Sequence, residues 1–527
     1  MGGLKSLVFS WNEVDADHYK LLKNPDGISG YSQIGNDINT TSVNENVSAH
    51  LMNWSEARYI VQACNSAGYC SDSEPIAVAE LMLDIIGYLK EPNINSYQQF
   101  GYGVAVSGDG STLAVINGSG SLYLYELRDG HSDLLAEITA PQNAEFSPYI
   151  SISSDAATLA ITGYTDTDGD AQKGAVFIYI RDDQDWSRQA IVMASNGEMR
   201  DGFGADLSLF ATGDVLAVAA PYESSNAAGI NGDQSDNSAE YSGAAYIFIR
   251  SNTEWRQQAY IKASDNTAGN QFANALHLSS DGSTLAVGAQ RAPRDTTRTG
   301  AVYLFVSEGD SWNQQTIITA NNADRLDYFG CDVALSADGN FLAVGAYGEA
   351  SYSSTINIGD TYNGLIEAGA AYLFKRTSSS WSQETYFKAS VVENNDLFGW
   401  KVSLSSDGSL LAVSAKGDDS NAIGINGDQT DNSASDSGAV YLFRRQDPTT
   451  WVQHAYIKVM NTDDAYVEHD YGEFGGLDLE TDGFGDVIAL SYDGETLVVG
   501  APREASSNSS LDQDNDAAPL AGAVYLY

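Results

Sequence analysis

One unit recurs along the chain and decides what it can become. Its clearest copy begins at Phe329-Gly330 and runs through Val333 and Leu335 to Asp338-Gly339, then Leu342-Ala343-Val344-Gly345-Ala346. Further on come Gly369-Ala370-Ala371-Tyr372-Leu373-Phe374, then Trp381, then Tyr386-Phe387-Lys388. The Phe anchor recurs at Phe100, Phe146, Phe203, Phe272, Phe329, Phe398 and Phe484. The Gly-Ala segment recurs at Gly120, Gly174, Gly243, Gly300, Gly369, Gly438 and Gly522. A fixed order of short segments repeated this often marks an array in which each unit packs on its neighbours.

Each unit reads as four strands. The first alternates apolar residues after Phe-Gly. The Asp-Gly pairs at Asp109-Gly110, Asp281-Gly282, Asp338-Gly339, Asp407-Gly408 and Asp493-Gly494 are expected to supply the positive φ angles of a tight hairpin. The second strand, Leu-Ala-Val-Gly-Ala, is apolar throughout and suits cover on both faces. The Gly-Ala segment is the third, and the stretch after Trp is the fourth. Four-stranded units packed in series make a propeller, so the expected fold is all-β with a seven-bladed β-propeller. The seventh unit ends at Tyr527 without a fourth strand, while Ile85-Ile86-Gly87-Tyr88-Leu89-Lys90-Glu91 stands unattached before the first. It resembles Gln258-Ala259-Tyr260-Ile261-Lys262-Ala263 and is predicted to close the last blade, leaving no incomplete edge.

With 527 residues the chain exceeds one ordinary domain. Residues 1–79 lack the repeat; residues 80–527 carry it. In the first part Ser6–Trp11, His18–Leu22 and Ala57–Cys64 read as strands between turns rich in Gly, Asn and Ser, which makes a small β-sandwich.

The Phe-Gly and Gly-Ala units resemble FG-GAP repeats, found in integrin α-chain heads and many bacterial surface proteins. The resemblance covers roughly residues 83–527. The early Trp11, the Tyr19 strand and Tyr59 to Gly68 resemble a fibronectin type III domain whose first strand is short or missing. Such modules usually act as spacers. The integrin resemblance implies calcium loops of the Asp-x-Asp-x-Asp-Gly kind between first and second strands. This chain has only Ser-x-Asp-Gly there, and one carboxylate does not supply the six to eight oxygens of a calcium shell. There is no Arg-Gly-Asp sequence.

Candidate site residues fall in four groups. The loop from Ser225 to Ser242 is nearly copied from Ser420 to Ser437, and Asp233, Asp236, Asn237, Asp428, Asp431 and Asn432 offer oxygens that suit calcium. The alternative is a loop of Asx turns bonded to its own backbone. Asp166, Asp168 and Asp170, and likewise Asp512, Asp514 and Asp516, alternate as calcium ligands do, or form solvated acidic loops. The insertion from Asp463 to Asp482, with His469, is either a ligand-contacting lid or a surface loop. Trp400 and Tyr102 follow Phe-Gly on the strand expected to line the channel; they either stack on a sugar or peptide, or pack in the core. Trp186, Trp255, Trp312, Trp381 and Trp451 recur at one place in the unit and read as structural. Cys64 and Cys70 flank a Gly-containing loop short enough for a disulfide, with two free thiols as the alternative. Cys331 reads as a small core residue.

A balance of 71 acids against 26 bases, net −45, excludes nucleic acid and anionic membranes as partners. It suits solubility in salty surroundings, cation sites or a basic partner. The start, through Trp11, has no long apolar stretch of the signal-peptide kind, and the most apolar segment, Ile76–Leu89, is too short to span a bilayer. Both ends look cut at domain edges, as in a piece of a larger exported protein. No zinc-spaced His pair, nucleophile elbow, Walker loop or Cys-x-x-Cys occurs. The expected function is an extracellular adhesion module, not an enzyme, binding a glycan or protein ligand, with calcium as the candidate cofactor. The alternatives are a structural subunit of a surface layer or filament and, last, an enzyme using channel-mouth acids.

Overall fold

The computed structural model describes residues 5–128, 130–166, 173–183, 185–294, 297–357, 363–460, 482–507 and 517–527. The candidates Asp168, Asp170, Asp512, Asp514 and Asp516, and His469 with most of its insertion, lie outside them.

Among the described residues the repeat region forms seven four-stranded antiparallel sheets. The third consists of Leu207–Leu209, Val215–Ala220, Ala244–Ser251 and Glu254–Ile261, hydrogen-bonded in that order. Six sheets take four consecutive strands of the repeat. The seventh takes Val487–Leu490, Leu497–Ala501 and Ala523–Leu526, and its outer strand is Gly87–Leu89 from before the first repeat, with Tyr88 opposite Tyr525. Each sheet's first strand lies beside the next one's, and Val487–Leu490 returns to lie beside Gly103–Val106. The arrangement fits a β-propeller.

The Phe and Gly signatures meet across neighbouring sheets. Phe398 pairs with Gly369 of the preceding sheet, Phe329 with Gly300, and Phe100 with Gly522 of the seventh. Gly369 has φ +83°, and a Cβ there would come 2.0 Å from the Phe398 carbonyl oxygen. Only glycine tolerates both conditions. Each Phe ring then meets two aromatic rings of its own sheet's third strand edge-on: Phe398 with Tyr441 and Phe443, Phe484 with Tyr525 and Tyr527. The recurring Trp also crosses sheets. The indole Nε1 of Trp255, Trp312 and Trp381 donates to Gln189, Gln258 and Gln315 on the preceding outer strand.

The Asp-Gly turns differ from expectation in one respect. Only the Gly is left-handed, as at Gly110 (φ +70°). The turn closes through Gly110 N donating to the Ser107 carbonyl, and Asp109 accepts from the Ser107 hydroxyl and the Ser111 amide. The carboxylate is bound to its own turn.

Before the repeats, Ser6–Ser10 pairs with Ser42–Asn46 as one sheet, and Ser32–Ile38, His18–Asn24, Arg58–Cys64 and Cys70–Asp72 form a second, with Ile76–Ala77 also paired to Arg58–Cys64. Leu7, Phe9, Tyr19, Leu21, Trp54 and Tyr59 are buried, in one apolar cluster that continues into the seventh sheet through Ile85, Val499 and Tyr525. The Lys5 ammonium donates to the Glu495 carbonyl (2.9 Å) and the Thr496 hydroxyl (2.6 Å), and a His50 ring nitrogen sits 2.8 Å from the Gly494 carbonyl. Cys64 and Cys70, opposite each other on paired strands, are joined by a disulfide.

Candidate functional site

The seven first strands enclose a cavity of about 440 Å³. A first strand has no partner strand on its channel side, so its amides need other acceptors. Side chains of the preceding sheet supply them. Ser208 accepts from Leu278 N, Asp206 from Leu276 N (2.7 Å), His277 from Leu335 N, Asp332 from Val402 N (2.8 Å) and Ser403 from Leu490 N. The ring is thus stitched by polar side chains that also line the cavity.

One level of this lining is chemically distinct. The third residue after each anchor Phe is Tyr149, Asp206, Asp332 or Lys401 in four units, and Gly103, Ala275 or Val487 in the other three. All but Ala275 line the cavity. Lys401 Nζ lies 3.2 Å from Asp332 Oδ1, with side-chain exposures of 30% and 14%. Asp206 accepts a backbone amide at each oxygen, Leu207 N and Leu276 N. Burial raises the Asp206 carboxyl to about 7, against the opposing pull of Lys401. Burial works against the Lys401 charge too, but Asp332 foremost, then Tyr149 and Asp206, outweigh it and hold Lys401 above its usual value. Burial alone pushes His277 down to about 4, so it stays neutral near pH 7.

The channel mouth carries the aromatic candidates. Tyr102 and Trp400 both line the cavity. Tyr102 is 42% exposed and Tyr149, just below, 38%. Lys416 Nζ sits 3.5 Å above the Trp400 ring, which also meets Tyr347 at 5.2 Å; Tyr347 stacks on Tyr328 at 4.8 Å. That face of Trp400 therefore already holds a cation of the same chain. The mouth further has Asp486 paired with Arg503 at 3.3 Å.

The two copied loops have matching bonds. Asp233 accepts from the amide and hydroxyl of Ser235, and Asp428 from those of Thr430. Asn237 donates to Glu198 and Asn432 to Glu393. The main-chain carbonyls of Asp236 and Asp431 accept from Asn226 and Asn421. Asn231 and Asn426 accept the amides of Tyr260 and Tyr456 on the fourth strand. These are Asx-turn loops tied to their own sheets. Asp166 donates its amide to the Asn143 carbonyl. Among the described residues no group of three or more His, Cys, Asp or Glu is placed to hold a metal ion.

Sequence reasoning passed over two features. One is the channel row of Tyr149, Asp206, Asp332 and Lys401; its signal is a polar residue three places after the anchor, where the other units have Gly, Ala or Val. The second is a buried ion pair in four sheets: Lys262 with Glu223 (2.7 Å), Lys388 with Glu349 (2.9 Å), Lys458 with Asp418 (3.2 Å), and Lys90 with Glu504. The Lys directly follows the fourth strand and the acid follows the second. The Lys90 pair joins the closing strand to the seventh sheet in the same way.

Three segments, residues 255–305, 312–374 and 381–443, match the family profile described as FG-GAP repeat. The first runs from the Trp of the third sheet's outer strand to the third strand of the fourth sheet, so the sequence unit straddles two sheets, as ring closure by an early strand requires. FG-GAP repeats suggest an integrin-like β-propeller, often adhesion-related, and typically occur in extracellular or surface proteins. No curated protein matches the chain. Among the described residues no helix is long and apolar enough to cross a membrane.

Proposed function

We propose that the chain is a seven-bladed FG-GAP propeller, closed by Gly87–Leu89 and preceded by a fibronectin type III-like sandwich, and that it is a non-catalytic binding module of an extracellular or surface protein. Its ligand, a glycan or a protein, is met on the face formed by the long loops and the channel mouth. One observation carries this reading: seven first strands in a closed ring surround a cavity whose mouth presents Tyr102 and Trp400. Small-molecule and glycan sites combine apolar or aromatic walls with a few fixed polar groups. The Cys64–Cys70 disulfide favours an oxidising, extracellular setting. The two-sheet order of residues 5–77 supports the sandwich assignment.

A second reading, a rigid spacer of a surface assembly, is favoured by the apolar cluster shared between the sandwich and the seventh sheet. A glycan and matrix-protein array, run in calcium and again in chelator, separates the two. Selective retention supports the binding module, and its loss in chelator assigns calcium a part in it. No retention, with ordered self-assembly of the purified chain, favours the spacer.

A further inference from the structure

We infer that the channel, at the level of Tyr149, Asp206, Asp332 and Lys401, binds a single neutral sugar residue, the exposed end of a glycan. The inference rests on the binding-module reading and names its ligand class and place. It is argued from what the cavity offers and what it repels. Lys401 uses one ammonium proton on Asp332 Oδ1, leaving two to donate. Each carboxylate oxygen has two acceptor sites, and those of Asp206 and Asp332 are only partly filled by the amides of Leu207, Leu276 and Val402. Donors and acceptors thus stand side by side within one level of the channel. A sugar hydroxyl both donates and accepts, so adjacent hydroxyls fit such an array.

The other ligand classes fit less well. A cation meets Lys401 in the ring and finds a Trp400 face already covered by Lys416. An anion meets Asp206 and Asp332 in a chain of net charge −45. An apolar ligand would strip water from charged groups without replacing their bonds. The half-exposed rings of Tyr102 and Tyr149 give the apolar face of a sugar a surface to lie on. The cavity, about 440 Å³, falls within the range of small-ligand sites, roughly 300–1,000 Å³.

The test is saturation-transfer NMR of the 527-residue chain against a panel of methyl glycosides, with affinities from titration. At least one glycoside is expected to bind. Lys401→Met and Asp206→Asn should each weaken it about tenfold or more, because a hydrogen bond to a charged group is lost. Tyr149→Phe, which removes only the hydroxyl, should weaken it severalfold, and it serves if the charge variants misfold by near-ultraviolet circular dichroism. Binding that all folded variants leave unchanged overturns the channel site. So does failure of every methyl glycoside, even where immobilised glycans or proteins are retained, an outcome that leaves the binding module standing. Glycoside binding that needs Lys401, without retention of any immobilised ligand, keeps the channel site and removes the adhesion reading.

Discussion

Lys388→Thr strands a carboxylate in the interior. Its ammonium lies 2.9 Å from Glu349 Oε2, with side-chain exposures of 0% and 2%, and donates to the Gly369 carbonyl at 2.6 Å. Removing one member of a buried pair costs about 3–5 kcal/mol, because the other charge is left without its counterion. Removing both members costs less, about 1–3 kcal/mol for the hydrogen bonds left unmade at Gly369, Ser351 and Asn322. The chain itself contains the double replacement: at the equivalent places the fourth sheet has Thr319 and Ala292. Lys388→Thr, Glu349→Ala and the double variant therefore form a cycle with a natural end point, measured by urea unfolding followed through tryptophan fluorescence. Lys388→Thr should be less stable than the double variant by about 2 kcal/mol. Single costs that simply add to the cost of the double variant would refute the reasoning.

Gly369→Ala should prevent soluble expression or cost several kcal/mol, since its Cβ meets the Phe398 carbonyl at 2.0 Å, whereas Gly309→Ala, equally left-handed (φ +64°) but with open space around it, should cost about 1–2 kcal/mol in thermal melts. Burial raises Asp201 to about 6 and Asp206, Asp327 and Asp396 to about 7. Each holds a proton when folded that it loses when unfolded, so this contribution is full below about pH 4 and fades as pH rises to about 7. His50 and His277, lowered to about 3 and about 4, act oppositely below their ordinary value of 6.5. Burial also lowers His454, and it raises Glu45 and Asp332, so the raised carboxyls outnumber the lowered rings. Urea midpoints should therefore be higher at pH 5 than at pH 7.5; the reverse order would show the histidines prevailing. Reducing Cys64–Cys70 releases the short loop that the bond closes in the unfolded chain and should cost the sandwich roughly 2 kcal/mol, read by hydrogen exchange, with the seven sheets unchanged.

What was legible in the sequence is what every unit must do alike. The anchor Phe and the Gly of the third strand recur because they touch across each sheet boundary, and the closing strand announced itself by carrying the Tyr and Lys of a fourth strand. The Lys–acid pairs were harder to read, because Lys388 and Glu349 belong to different strands and only their shared burial joins them. The acidic loops were legible only as composition: Asp233 and Asp428 have the make-up of cation ligands, and composition does not tell that Ser235 and Thr430 donate to them in an Asx turn.

The channel row was hidden for a deeper reason. A repeat is recognised by what stays constant, while a binding site in a ring of like units must break the symmetry. Seven identical residues at one level would repeat one chemical group around the axis, and like charges so placed would repel. Here the level carries Tyr149 and Asp206 on the second and third sheets and Asp332 and Lys401 on the fifth and sixth, with Ala275 of the fourth between the two pairs and Val487 and Gly103 on the seventh and first. Two of the polar residues have structural work, since Asp206 and Asp332 accept the next sheet's amides. A serine such as Ser208 performs that task one level along without charge. The stitching therefore explains an acceptor at these places but not a carboxylate, and Lys401 balances the charge of Asp332 but not that of Asp206 as well. The charge left over after the architecture is satisfied is what points to a ligand.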